Sequence, residues 1–262
     1  VPGASRARNA GWRAARSDIV AFIDDDVLAT PEWAASVLAA CENHPDVDFF
    51  TGRTDFVPGE EFTSRSVAIK KDPEPELFVG YARSDLMGHG ANLFMRRRAL
   101  NITGGFDEFL GPGTALPAAE DLDLFDRLLA AGCVGRYEPS ACALHVQWRN
   151  RRQLLVLDWR YGVGSGARLV KLLGRDRRRA VVATYAFFWG WGLYYVREYL
   201  VALRPFLTTT TLVRVLGGVA GVGRAAVTRP WRAYADSADS SRETVSSAPR
   251  STRPCTPSRP ET

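Results

Sequence analysis

The sequence predicts an α/β fold, a mostly parallel sheet flanked by helices, followed by a basic helical region. Three observations predict it. Strand-like, helix-like and strand-like segments follow one another between Asp18 and Gly52, which is the order of a βαβ unit. A loop rich in glycine and proline then leads into an amphipathic helix that ends near Gly132. The charge also changes sign along the chain: residues 1–150 carry 15 Lys and Arg against 22 Asp and Glu, and residues 151–262 carry 19 against 7. That asymmetry implies different jobs for the two halves. The expected organisation is an α/β domain over 1–150, a basic helical region over 151–235 and a disordered tail over 236–262.

In chain order, "SRARNAGWRAAR" (Ser5 to Arg16) reads as a helix with Ser5 as its cap. "DIVAFI" (Asp18 to Ile23) is apolar after its first residue and rich in β-branched side chains, the pattern of a strand buried on both faces. Thr30 can cap a second helix, with Pro31 at its first position and Glu32 near its positive end, and Pro45 closes it. Val47 to Gly52 is the next strand. Residues 53–87, with Pro58, Pro73 and Pro75, read as loop. "GANLFMRRRAL" (Gly90 to Leu100) is a strand running into a short turn. Beyond it, Leu122, Phe125, Leu128 and Leu129 share one helix face, and Gly132 takes the C-cap place. "RYEPSACALHVQW" (Arg136 to Trp148) is strand-like around a turn.

The back half differs. Ala180 to Val196 runs 17 residues without a charge, between "RDRRR" and Arg197. Spanning a bilayer takes about 20 apolar residues, with a lower limit near 17. Aromatic residues flanked by arginine suit a membrane surface, and a buried core helix has a similar composition. The four cysteines (Cys41, Cys133, Cys142, Cys255) show no C-x-x-C spacing. Reduced, packed thiols and a cytoplasmic setting are the expectation, with the cytoplasmic face of a membrane as the place where the basic half would act.

The chemistry centres on "FIDDDVLATPEW" (Phe22 to Trp33). Side chains alternate along an extended chain, so Asp24 and Asp26 face together and Asp25 faces away. They follow a strand, and ligands in α/β sheets bind beyond the strands' C-terminal ends. Two carboxylates in one space repel unless a cation lies between them, and Mg²⁺ or Mn²⁺ prefers such oxygen ligands. A solvated acidic turn before a helix is the alternative. Glu120 and Asp121 begin a helix after a loop, a place for a general base or for compensation of the helix dipole. His145 lies in an apolar strand, where a core histidine is also at home. Arg6, Arg8 and Asn9 sit at a helix opening, where an anion can bind.

Taken in order, these segments resemble the family 2 glycosyltransferases of the GT-A fold. The resemblance runs from about Gly3 to His145. It rests on "GASRARNAGWRAARSDIVAFIDDDVLATPEW", "HGANLFMRRRAL", "GGFDEFLGPG", "AAEDLDLFDRLLAAG" and the strand ending in His145. It implies an inverting transfer from a nucleotide-diphosphate sugar donor to a glycan, lipid-linked or other hydroxyl acceptor. On that reading "DDD" supplies the D-x-D element. Asp26 would ligate Mn²⁺ or Mg²⁺, and Asp24 would contact the metal or the ribose. The same aspartate triplet puts Asp25 beside the donor. Asp121 would deprotonate the acceptor, Glu120 would help position it, and His145 would be a further metal ligand. Arg8 and Asn9 would lie by the nucleotide, and Gly90, Ala91 and Asn92 by the donor sugar.

Two departures qualify the resemblance. The family normally opens with a strand, a helix and a strand that grip the nucleotide base, and the sequence begins after them. The expectation is an N-terminally truncated catalytic domain, which can be inactive as it stands. "VQWRNRRQ" does not match the Q-x-x-R-W element of processive synthases, so single addition is expected. The competing readings are a non-catalytic membrane- or anion-binding module and a metal-dependent nucleotidyltransferase. The second lacks a G-x-x-x-x-G-K-[ST] loop here. A membrane surface is a candidate partner, and nucleic acid is not.

Overall fold

A computed structural model describes residues 3–58 and 68–228. The expected disordered tail, 236–262, lies outside the described residues. Six strands form one sheet: β1 (Ile19–Ile23), β2 (Val27–Ala29), β3 (Phe49–Pro58), β4 (Glu76–Phe78), β5 (Asn92–Arg96) and β6 (Gly135–Gln147). Their order is β1-β5-β3-β6-β2, with β4 also paired to β6. Among the described residues the helices are α1 (Ala4–Ala14), α2 (Trp33–Asn43), α3 (Arg97–Thr103), α4 (Glu120–Ala130), α5 (Arg151–Leu173), α6 (Arg177–Tyr185), α7 (Tyr194–Val201) and α8 (Pro205–Thr228). A π-helical segment, Ala186–Leu193, joins α6 to α7.

The α/β class holds, but the sheet is mixed rather than mostly parallel. Among the described strands only β3 and β6 pair in parallel. β1 and β3 run the same way, as the βαβ signal requires, yet β5 lies antiparallel between them. The cause is hydrophobic burial. Leu93, Phe94 and Met95 of β5 are fully buried in succession, so this strand takes a central place with both faces covered. β1 is thereby pushed to the edge. Val20 and Phe22 are buried while Ala21 and Ile23 are exposed, so the expected two-sided burial of this strand is replaced by alternation.

Alternation also builds the layers. Phe49 points to one face and stacks on Phe125 of α4, ring centroids 5.7 Å apart. Phe50 points to the other and stacks on Phe94 at 4.9 Å, in the cluster completed by Val37, Ala40 and Cys41 of α2. On α4, Phe125, Leu128 and Leu129 are buried as the periodicity predicts, and Leu122 packs half-buried beside them. Gly132 has φ +83°, the left-handed conformation that ends such a helix.

Two expected caps do other work. Ser5 lies inside α1, buried, and its hydroxyl donates to the Leu110 carbonyl at 2.7 Å. Thr30 donates to the Cys142 carbonyl at 3.1 Å, and α2 starts only at Trp33. In both cases a long-range acceptor won the hydroxyl.

The expected division at residue 150 does not separate compact units, because Val1–Thr228 form one. α5 is fastened to the front half by buried ion pairs. Arg168 donates to Asp126 and to the Ser84 hydroxyl, both at 2.6 Å. Lys171 pairs with Asp107 and, at 2.5 Å, with Asp123. α5 and α8 then pack backbone to backbone through glycines. A Cβ on Gly166 would lie 2.0 Å from the Gly218 carbonyl oxygen, and one on Gly221 2.1 Å from that of Val163. Gly166→Val is therefore expected to lower stability by about 1–3 kcal/mol, the usual cost of overpacking. A fall in melting temperature measures it, and an unchanged melt would remove the role assigned to this contact.

The apolar run Ala180–Val196 corresponds to α6, the π-helical segment and the start of α7. It is not a core helix: Val181, Tyr185, Trp189, Leu193 and Tyr194 are each more than half exposed. The described helix long and apolar enough to cross a membrane, by length and composition only, is α8, with 33% of its apolar window buried.

Candidate active site

β1 ends at Ile23, and a turn closed by the Val27 N–H on the Asp24 carbonyl (3.1 Å) carries the aspartates to β2. Asp24 and Asp26 line one cavity of about 1360 Å³. Asp25 is exposed and does not line it. The same cavity is lined by Arg8, His89, Gly90, Glu120, Asp121 and His145.

Two arginines neutralise the aspartate turn. Arg8 donates through Nη2 to Asp24 Oδ1 at 2.5 Å and through Nη1 to Glu120 Oε1 at 2.8 Å. Burial opposes the Arg8 charge, but Asp24 and Glu120 outweigh it and push its pKa up. Arg149 reaches Asp26 Oδ2 at 3.3 Å, and the Trp148 indole N–H donates to the same oxygen at 3.0 Å. Asp24 and Asp26 thus each have their own cationic neighbour.

Asp26 also lies against His145, whose Nε2 is 3.6 Å from its Oδ1. Register explains the contact: His145 pairs with Val27 across β2 and β6. Burial pushes the imidazole pKa down while Asp26 pulls it up, and the net direction is down. A neutral imidazole is what a metal ligand requires. Its Nδ1 is buried with no hydrogen-bond partner. Among the described residues no three His, Cys, Asp or Glu groups form a ready-made metal shell. A carboxylate beside a neutral imidazole nevertheless fits a divalent ion that takes its other ligands from elsewhere.

Asp121 stands at the start of α4. Its Oδ2 accepts the Gly90 N–H at 2.9 Å and its Oδ1 accepts the Leu122 N–H at 2.8 Å. The approach is close at Gly90, where a Cβ would lie 3.1 Å from the Asp121 Cβ. Gly90 itself also lines the cavity. Beside it, Glu120 is buried. Burial pushes its carboxyl up, the Asp121 charge adds to that, and Arg8 pulls back; the net direction is up.

Two residues expected at the donor are committed elsewhere. Asn92 is fully buried: it donates to the Arg53 and Ala141 carbonyls at 2.8 Å and accepts the Trp33 indole N–H at 3.0 Å. Asn9 donates to the Phe106 carbonyl and accepts the Phe106 N–H, at 2.8 and 2.9 Å, pinning the loop before α4. Neither lines the cavity. Conversely, His89, Trp148 and Arg149 line it without having been singled out. Their signal was adjacency: His89 precedes Gly90, and Arg149 follows His145 by four residues.

The family model described as glycosyl transferase family 2 matches residues 1–103. Those residues belong to glycosyl transferase family 2. The match covers α1, the aspartate turn and β5, and it ends before Glu120, Asp121 and His145. The chain is 33% identical over 176 residues to the pre-mycofactocin glycosyltransferase of Mycobacterium tuberculosis (strain ATCC 25618 / H37Rv), covering 64% of this chain and 35% of the relative. It is 30% identical over 120 residues to the glucosyl-dolichyl phosphate glucuronosyltransferase of Haloferax volcanii, covering 42% and 36%. The chain therefore spans about a third of the length of the curated relatives it matches. Among solved structures, S. aureus TarS 1–349 aligns at TM-score 0.47 and 14% identity, covering 87% of this chain and 71% of that one. The mannosyltransferase PcManGT from Pyrobaculum calidifontis, in complex with GDP-Man and Mn²⁺, aligns at 0.46 and 14%, covering 89% and 63%.

Proposed function

We propose that the chain is an inverting, metal-dependent glycosyltransferase that adds one sugar from a nucleotide-diphosphate donor to an acceptor hydroxyl. The observation that carries this reading is the gathering of Asp26, His145 and Asp121 on one cavity, from three distant parts of the sequence. Asp26 and His145 would hold the cation, which when bound supplies Lewis-acid stabilisation to the departing diphosphate. Arg149, on Asp26, adds positive charge on the same side. Asp121 takes the proton from the acceptor hydroxyl. The acceptor oxygen then forms a bond to the anomeric carbon, while the bond from that carbon to the diphosphate oxygen breaks and the nucleoside diphosphate leaves with the electron pair. Attack opposite the leaving group inverts the anomeric centre. Relatives named as a pre-mycofactocin glycosyltransferase and a glucosyl-dolichyl phosphate glucuronosyltransferase support the reaction class, not a particular acceptor.

The test is release of nucleoside diphosphate from a panel of nucleotide sugars. Chelation is expected to bring release to background and Mn²⁺ to restore it. Release of pyrophosphate instead would select the nucleotidyltransferase reading. Release that ignores both chelator and Asp26→Ala would overturn the metal assignment.

A membrane-surface role belongs to the same proposal. Tyr185, Trp189, Leu193 and Tyr194 are exposed beside Arg178 and Arg197, an aromatic and basic mixture suited to an anionic interface. Co-sedimentation with anionic vesicles at low salt, lost at high salt, is the expected result. No sedimentation with either anionic or neutral vesicles would remove it.

A further inference from the structure

The cavity has a second wall that the transfer chemistry does not use. Phe187, Trp191, Tyr195 and Tyr199 follow one another every four residues, so they stay on one face through the π-helical segment and α7. Successive ring centroids are 6.2, 5.9 and 5.5 Å apart. All four line the cavity and none is fully buried. Such a ladder is neither closed core nor ordinary surface. It is apolar area kept available inside a concave site, the usual character of a small-molecule pocket.

Arginines border the ladder. Arg214 lies over the Trp191 ring at 4.7 Å and the Tyr161 ring at 4.9 Å, and its charge is answered by Asp158 at 2.5 Å. Arg8, Arg149 and Arg168 are likewise matched to acids. Three arginines of the cavity have no carboxylate partner among the described residues: Arg224 of α8 is committed to a loop carbonyl, while Arg152 and Arg160 sit exposed on α5. Unmatched guanidinium charge and stacked rings on one cavity suit a ligand that is both anionic and apolar.

The wall is built onto the base side of the site. A Cβ on Gly164 of α5 would lie 2.4 Å from the Ala118 carbonyl oxygen, just before Glu120 and Asp121. Arg224 of α8 donates to the Ala115 carbonyl at 3.0 Å in the same loop. α5, which carries Arg152 and Arg160, and α8, against which the ladder segment packs at Gly218 and Phe187, are thus both held against the segment that delivers Asp121.

We infer that this wall is the acceptor subsite, and that it takes an anionic amphiphile: an alcohol with an apolar body lying along the ring ladder and a phosphate or carboxylate held by Arg152 and Arg160. The inference rests on the transferase reading for the word acceptor, but the binding site itself can be tested without turnover. Calorimetric titration of the full chain with decyl phosphate, 1-decanol and inorganic phosphate separates the two recognition elements. Decyl phosphate, below its micelle concentration, is expected to bind at least about tenfold more tightly than either half alone. Trp191→Ala and the double variant Arg152→Gln/Arg160→Gln are each expected to weaken it about tenfold. The arginine variant is at exposed positions, so its result does not depend on refolding a core. Inorganic phosphate binding as tightly as decyl phosphate would leave only an anion site and overturn the proposal. So would decanol binding as tightly, or decyl phosphate binding equally to wild type and both variants. A parallel titration of the wild type with nucleoside diphosphates keeps the two readings apart. Nucleotide binding without decyl phosphate binding sinks the wall and spares the transferase; the reverse sinks the donor site and spares the wall.

Discussion

Asp121→Asn is expected to lower sugar transfer by about 10²–10⁴-fold while leaving donor binding and the melting temperature close to wild type. The substitution keeps the size of the side chain and one oxygen, so one of the two backbone N–H groups, from Gly90 or Leu122, still has its acceptor. What disappears is the second lone-pair-bearing oxygen and the capacity to take a proton. Transfer without a base leaves the acceptor as a neutral hydroxyl, a weak nucleophile. The effect therefore falls on turnover at saturating donor and acceptor, which steady-state kinetics measures. Nucleoside diphosphate titration and a thermal melt provide the controls. Asp121→Asn with wild-type turnover would remove this residue from the mechanism. A loss of donor affinity matching the loss of rate would move Asp121 to the donor side.

How far the site could be read from sequence depended on whether the relevant geometry was local. The common facing of Asp24 and Asp26 followed from alternation in an extended chain, although a turn, not a strand, delivers it. The start of α4 was legible because the Gly/Pro loop and the acidic pair mark a helix N-terminus within a few residues. Long-range partners were not legible. Arg8 reaches Glu120 across 112 positions, and no local pattern encodes that pairing. Asn92 shows the converse. Its motif context placed it at the donor, but three hydrogen bonds hold its buried side chain inside the sheet. Sheet direction failed for a related reason: a βαβ pattern fixes the sense of β1 and β3 but not what lies between them. The basic back half was visible as charge and aromatic content. That its rings would face the front half's cavity depended on the close glycine packing of α5 on α8, which residue composition alone does not reveal.

Replacing Arg8 by Met is expected to destabilise the fold by about 3 kcal/mol at neutral pH, the lower end of the range for stranding a buried charge. Arg8 is the counter-charge shared by Asp24 and Glu120, with side-chain exposures of 14% for the arginine and 9% for Glu120. Methionine keeps the apolar stem that lies against the Phe106 ring and deletes the guanidinium. Glu120 then has burial and the Asp121 charge pushing its carboxyl up, with only a backbone hydrogen bond pulling it back. A carboxyl whose folded pKa is raised binds more protons when folded than when unfolded, over the window from its ordinary value up to the folded one. In that window stability falls as pH rises, and it is fully present only below the ordinary carboxylate range. The variant should thus be weakest at pH 7–8 and recover part of its stability as pH drops toward about 5, since protonation relieves the stranded charge. Denaturant melts across that range read the effect directly. The double variant Arg8→Met/Glu120→Gln is expected to recover much of the loss at pH 7, because a neutral amide needs no counter-charge. A flat pH response in the single variant, or no rescue in the double, would mean that Arg8 acts through packing alone and that the bridge from the aspartate turn to the base-bearing helix carries no electrostatic weight.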